Sequence, residues 1–320
     1  MSYTHLTQEE RYQLYAYKKI GKSQIEIAIE LGRSESTIAR ELKRNTGGRG
    51  YRPKQAQELA SERQKLKLKA IKMTDSTIAI IDEKISLDWS PEQIAGRLLK
   101  DNNISISHET IYQHILTDKV AGGFLYKHLR CQKKNKKRYG TKAHDKRGQI
   151  KDKVSIEKRP QAVEDKCRKG DWEGDLVIGK NHKRALVTLV DRKTKKTKIA
   201  IVDSKEAVPV SIAVVELLKD ETKYTVTFDN GKEFSEHKQI KAQTGAVIYF
   251  AHPYSSWERG LNENTNGLIR QYFPKGSCFL SITDTDVKRV EDVLNNRPRK
   301  ALGYCTPNEI YDGTRRIRYE

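Results

Sequence analysis

The spacing of apolar residues changes character part-way along this chain, and that change points to a multidomain protein. Over roughly the first hundred residues they recur at helical spacing, whereas residues 171–251 fall into short apolar runs of β type. Between the two lies a basic segment, 127–151. It carries eleven Lys or Arg against the single acid Asp145, a net of +10 and half the formal charge of +20. A block of like charge repels itself and buries little, so it reads as a linker that tracks phosphate, with a solvated linker as the alternative. At 320 residues the chain has room for two or three domains. The expected division is a helix-turn-helix domain over 1–50, a helical connector over 51–88, a second helix-turn-helix over 89–126, a basic linker over 127–169 and an α/β domain over 170–320.

Lys and Arg outnumber the acids by 62 to 42, which calls for a polyanionic partner, nucleic acid first among them. The N-terminus MSYTHLTQEE has no apolar core of a signal peptide, and no run approaches the roughly 18 apolar residues of a membrane span. A soluble cytoplasmic protein without membrane association is expected. Cys131, Cys167, Cys278 and Cys305 form no CxxC pair, which argues for reduced thiols over a disulfide framework or a zinc site.

Residues 7–20 read as a helix, and SQIEIAIELGRSESTIARELKRN from Ser23 as two more broken at Gly32. Ala28 is small where two helices cross, Gly32 suits a left-handed turn, and Ile25, Leu31, Ile38 and Leu42 are expected in the shared core. With Ser34 as N-cap, the second helix turns Ser36, Thr37, Arg40, Lys43 and Arg44, with Arg33 just before it, toward a major groove. In DWSPEQIAGRLLKDNNISISHETIYQHIL, Ser90, Pro91 and Gln93 spell an N-cap, an N1 proline and a capping-box partner. There Ile94, Leu98, Ile111 and Ile115 face inward, and His108, Thr110, Tyr112 and His114 are the more exposed positions. The linker cations Lys133, Lys134, Lys136, Lys137 and Arg138 add to this DNA-contacting set.

In the C-terminal half, GDWEGDLVIG and ALVTLVDRKTKKTKIAIVDS read as three strands with a turn near Lys195. A helix, a strand in YTVTFDNGKEF, a second helix and a fifth strand in AVIYFA follow, and SSWERGLNENTNGLIRQYF reads as the last helix. Such a mixture implies an α/β sheet. Asp175 stands before the apolar run Leu176–Ile178, and Asp229 ends the run Val226–Phe228. A carboxylate at the edge of a core strand costs desolvation unless something compensates it, and hard oxygen ligands suit Mg²⁺ or Mn²⁺. Asp229-Asn230-Gly231 is also an ordinary turn sequence. Pleat alternation puts Asp171, Glu173 and Asp175 on one face and does not choose among them.

These segments resemble the IS-thirty family of bacterial insertion-sequence transposases, within the wider DDE transposase and retroviral-integrase group. The resemblance runs nearly end to end: TIARELKRN, SPEQIAGRL and SHETIY, then GDWEGDLVIG, TFDNGKEF, WERGLNENTNGLIRQYFPKG and NNRPRKALGYCTP. It implies an RNase H-like (integrase-like) catalytic domain whose acidic triad is Asp175, Asp229 and Glu263, the last two separated by 33 residues as in the family. It assigns Asp175 over Asp171 and Glu173, and Glu263 over Glu258. It further implies two Mg²⁺ ions, with Mn²⁺ as substitute, about 3.5–4 Å apart around a scissile phosphate. Asp175 would contact both ions, and Asp229 and Glu263 one each. One departure is GSCFL after FPK, apolar where a polar continuation is expected.

Asn262, Asn266 and Arg270 accompany Glu263 as candidates to position phosphate, and Lys275, Arg297 and Arg299 as a basic surface for target DNA. His252, Tyr254 and Trp257 are expected in the core, with stacking on an unpaired base as the alternative. The implied activity is binding of the element's terminal inverted repeats followed by metal-dependent cleavage and strand transfer, in a bacterial, nucleoid-associated protein. Work on two ends implies a homodimer or larger assembly on double-stranded DNA. A non-catalytic DNA-binding regulator and an RNase H-like nuclease are the competing classes.

Overall fold

The computed structural model describes residues 5–66, 73–130, 150–253 and 255–316. The chain forms two compact units, Met1–Ile71 and Lys72–Glu320.

In the first unit, α1 (Gln8–Lys19) and α2 (Gln24–Glu30) both begin with capping boxes, Thr7 with Glu10 and Ser23 with Glu26. Gly32 then turns the chain at φ +60°, and α3 (Glu35–Asn45) follows. Ser34 sits at the N-cap of α3, but its hydroxyl bonds those of Ser36 and Thr37 rather than a backbone N–H. The core gathers Leu14, Ile27, Ala28 and Ile38, with Leu31 and Leu42 half-buried against it. Ile25, expected there, is 56% exposed. At a hundred degrees per residue Ile27, Ala28 and Leu31 share one side of α2, and Ile25 falls off it. A short ribbon, β1 (Thr46–Gly47) with β2 (Gly50–Tyr51), leads into α4 (Pro53–Leu66), whose Ala56 is buried in the same core. Arg11 crosses that core to Glu41 at 2.7 Å, and the Tyr51 hydroxyl donates to the same carboxylate.

The second unit opens with α5 (Asp75–Ser86), α6 (Pro91–Asn102) and α7 (His108–Val120). Ser90 and Gln93 form the expected capping box, Asn103 takes the left-handed turn at φ 53°, and Ser107 caps α7. Their core is Ile81, Ile85, Ile94, Leu98, Ile111 and Ile115. The segment read as a connector over 51–88 is therefore shared out, α4 packing in the first unit and α5 in this one.

A mixed sheet follows, built from β3 (Asp171–Ile178), β4 (Ala185–Asp191), β5 (Thr197–Val202), β6 (Thr225–Phe228) and β7 (Val247–Phe250). Its order is β5-β4-β3-β6-β7, antiparallel from β3 to β5 and parallel from β3 to β7. The short α8 (Gln161–Glu164) precedes it, with Ile156 and Val163 buried, so the stretch 150–169 packs as part of this domain. One face of the sheet takes α9 (Ala207–Leu218) and α10 (His237–Thr244), with Trp172, Val187, Leu189, Val226 and Phe228 in the core. The other takes α11 (Gly260–Tyr272) and α12 (Asp284–Asn295) over Val177, Leu186 and Ile199. Helices on both faces of a mixed sheet make this the expected α/β domain.

Two further helices, α12 and α13 (Pro307–Tyr311), follow the one read as last. From α12, Glu291 accepts from the Ile199 N–H at 2.7 Å, and Asn295 bonds both backbone groups of Thr197 at 2.8 Å. These side chains cover the outer edge of β5, which would otherwise present unpaired backbone groups. Phe279 of the divergent GSCFL stretch is fully buried between Phe273 and the α12 core, which accounts for that residue, whereas Cys278 and Leu280 beside it are exposed. Against α6, Glu309 accepts from both terminal nitrogens of Arg97 at 2.8 and 2.5 Å, and the Tyr304 ring lies over Gly96 with no room for a Cβ.

Candidate active site

Alternation along β3 turns Glu173, Asp175 and Val177 toward α11 and α12, and Trp172, Gly174 and Leu176 toward the opposite core. Gly174 is required: an added Cβ would overlap the Phe228 ring, itself stacked 4.1 Å from Phe234. Glu173 pairs with Thr227 across parallel β3 and β6, and continuing that register by two residues brings Asp229 level with Asp175. Asp229 ends its strand in a turn in which the Gly231 N–H donates to Oδ1 at 2.9 Å, leaving Oδ2 to face inward.

The other acids of β3 are engaged elsewhere. Asp171 accepts from Arg168 at 3.0 Å and from the Thr225 hydroxyl at 2.9 Å, and Glu173 pairs with the buried Arg192. Asp175 instead accepts from Asn266 Nδ2 of α11 at 2.7 Å, and Thr188 donates to the Asp175 carbonyl at 3.1 Å. Burial pushes the Asp175 carboxyl upward and the neighbouring Asp229 charge adds to this, against the pull of Arg259 and Asn266. One guanidinium serves both acids: Arg259 lies 3.6 Å from Asp175 Oδ1 and 3.2 Å from Asp229 Oδ2, and donates to the Gly174 carbonyl at 3.1 Å.

Glu263 is exposed on the first turn of α11, one turn before Asn266 and on the same face. Among the described residues no three His, Cys, Asp or Glu side chains stand close enough together to hold a metal ion. Asp175 and Asp229 are thus brought together, and Glu263 stands apart from them. Glu258 is occupied by His252, accepting from its backbone N–H at 2.8 Å and pairing with Nδ1 at 2.7 Å.

The chain is similar over nearly its whole length to curated transposases. It is 45% identical to the transposase for insertion sequence element IS4351 of Bacteroides fragilis, across 96% of this chain and 95% of that one. It is 36% identical to transposase InsI for insertion sequence element IS30A of Escherichia coli K12, across 96% and 83%. With the transposase for IS1086 of Cupriavidus metallidurans the identity is 34%, across 96% and 94%. The chain belongs to the IS30 family of insertion-sequence transposases. In addition, residues 2–45 match the family described as a helix-turn-helix domain.

In this transposase α3 presents Ser36, Arg40, Lys43 and Arg44 at its surface, with Thr37 half-buried. Arg33 is engaged by Glu10 at 2.8 Å. On α7, His108 and Thr110 are exposed, while His114, expected outside, bonds Asp82 at 2.7 Å. Lys133, Lys134, Lys136, Lys137, Arg138 and Tyr254 lie outside the described residues. Lys275 is exposed. Asn262 departs from expectation: it is 1% exposed, on the side of α11 that packs inward with Ile269, and cannot meet phosphate there. Arg297 is likewise buried, bonded to Gln271 and Tyr272. Arg270 donates to the Ile178 carbonyl at 2.9 Å and so straps α11 to β3. No described helix is long and apolar enough to cross a membrane.

Two participants escaped the sequence reading, Arg259 and Thr188. Arg259, Glu263, Asn266 and Arg270 repeat at intervals of four, three and four, the spacing of one helical face, and that signal points to Arg259. Thr188 has no local signal, because it is set opposite Asp175 by strand register.

Proposed function

We propose that this transposase binds the terminal inverted repeats of its element and cleaves and joins DNA at a metal centre held by Asp175, Asp229 and Glu263. The observation that carries the reading is the convergence of two strand-borne carboxylates, Asp175 and Asp229, on a single positive charge. Arg259 occupies the position of a cation between them, and the donor set is all oxygen, which fits Mg²⁺ or Mn²⁺. Divalent ions held by these carboxylates would supply activation of the attacking hydroxyl and stabilisation of the leaving 3′-oxygen.

The chain's own residues set the geometry. Asn266 fixes the rotamer of Asp175, with its own oxygen 3.3 Å from the Thr188 hydroxyl. The Gly231 N–H holds one oxygen of Asp229, leaving the other directed inward. Glu263, solvated on α11, would be the third ligand of such ions. The exposed cations of α3 contact duplex phosphates and base edges. Two element ends processed together call for at least two protomers on DNA.

The test is incubation of wild type and Glu263→Gln with end-labelled DNA carrying the inverted repeats, in Mg²⁺ or EDTA. Metal-dependent cutting and joining by wild type, with binding retained and cutting abolished in the variant, is expected. Substantial strand transfer by Glu263→Gln would remove Glu263 from the centre, and hydrolysis without joining would favour a nuclease.

A further inference from the structure

On the flank of α11 opposite Glu263, the structure holds an open cavity of about 870 Å³, walled by Leu261, Asn264, Thr265 and Leu268 of that helix. Four acids line it, and each is paired with a cation of the same lining, although Oε2 of Glu173 is buried without a hydrogen-bond partner. Glu164 pairs with Arg159 and Arg192, Glu173 with Arg192, and Glu157 and Glu258 with His252. Four cations of the same lining, Arg130, Lys166, Lys195 and Arg299, form no close ion pair among the described residues, though the charges of Glu173 and Asp191 act on Lys195. Arg299 Nε is buried with no hydrogen-bond acceptor. Burial and the like charges of Arg297 and Arg130 lower Arg299 to about 10, and burial with the Lys166 charge lowers Lys195 to about 8. The lining holds seven Lys or Arg against four acids, and a wall with that excess of positive charge suits an anion.

The rim carries a second signal. Trp257, expected in the core, is 75% exposed, beside a partly exposed His252. A large exposed indole at the mouth of a basic cavity offers a stacking platform, and stacking with cation contacts is how unpaired bases and their phosphates are held. A base inside a duplex has both faces stacked on its neighbours and has none left for Trp257. We infer that this cavity binds unpaired nucleotides of a DNA strand, with a base on Trp257 and phosphates against Arg130, Lys166, Lys195 and Arg299. The site depends on DNA as partner and not on the three proposed metal ligands.

The test uses the full-length protein in EDTA, titrated with a short single-stranded oligothymidylate while tryptophan emission is followed. Wild type should be quenched, and Trp257→Phe, which keeps the two other tryptophans, should lose the response. Arg130→Gln with Lys166→Gln, both exposed positions, should bind about tenfold more weakly, with a salt slope shallower by about 0.7 for each phosphate that is no longer neutralised. Asp175→Asn should be quenched as wild type, which separates this site from failure of the metal centre. The inference is overturned if no Trp257-dependent quenching occurs. It is equally overturned if the double variant keeps full affinity and slope, or if a duplex of the same length quenches as strongly.

Discussion

The guanidinium of Arg259 stands 3.2 Å from the carboxylate of Asp229 and reaches on to Asp175, so that two acids from neighbouring strands share one counter-charge. Without it, hydrogen bonds such as those from Asn266 and the Gly231 N–H are left to offset their repulsion and burial. Arg259→Gln should lower stability in EDTA by roughly 1–3 kcal/mol, the usual cost of orphaning a part-buried charged group. Added Mg²⁺ should then raise the melting temperature of the variant more than that of wild type, since the ion no longer competes with a resident cation. Equal Mg²⁺-induced shifts in the two proteins would contradict the shared-charge account.

Asn266 donates to Asp175 at 2.7 Å from one turn beyond Glu263. Groups that orient a ligand commonly account for about 10–100-fold in metal affinity or activity. Asn266→Ala should therefore slow cleavage of labelled inverted-repeat DNA within that range and leave binding by gel shift unchanged. A parallel loss of binding would assign Asn266 to DNA binding instead.

Gly174 has no room for a side chain, because a Cβ would overlap Phe228 and crowd Leu189. Gly174→Ala should destabilise the second unit by about 1–3 kcal/mol, the range for overpacking, and displace the strand that carries Asp175. Urea denaturation measures the first effect and Mg²⁺ titration the second. An unchanged midpoint would show that β3 can shift without cost.

Burial alone would raise the Glu309 carboxyl, but the hydrogen-bonded Arg97 guanidinium, the Thr306 backbone and the charge of Arg315 outweigh it and bring it down to about 2. Its folded value lies below the ordinary 4.5, so its contribution is present above that pH and is lost as pH falls toward about 2. Allowing for its partial exposure, about 1–2 kcal/mol is at stake. The stability difference between wild type and Glu309→Gln should be constant near neutrality and shrink below about pH 4.5. A difference that does not change with pH would mean that packing, not the ion pair, joins α6 to the C-terminal segment.

Much of this protein is legible in the order of its residues, because caps, turns and strand alternation act over a few positions. Thr7, Ser23, Ser90 and Ser107 start helices where their side chains can reach the first free N–H groups. Gly32 and Asn103 turn the chain where a left-handed residue is needed. The same local rule put Glu173 and Asp175 on one face of β3 but left them equivalent. Only the tertiary structure separates them, by setting Arg192 against Glu173 and Arg259, from a segment more than eighty residues further on, against Asp175 and Asp229. It likewise turns Asn262 inward, brings Trp257 out, and exchanges Ile25 for Ile27 in the first core. Each of these depends on which helix face meets which sheet face. That choice minimises exposed apolar area over the whole domain, and no stretch of sequence encodes it alone.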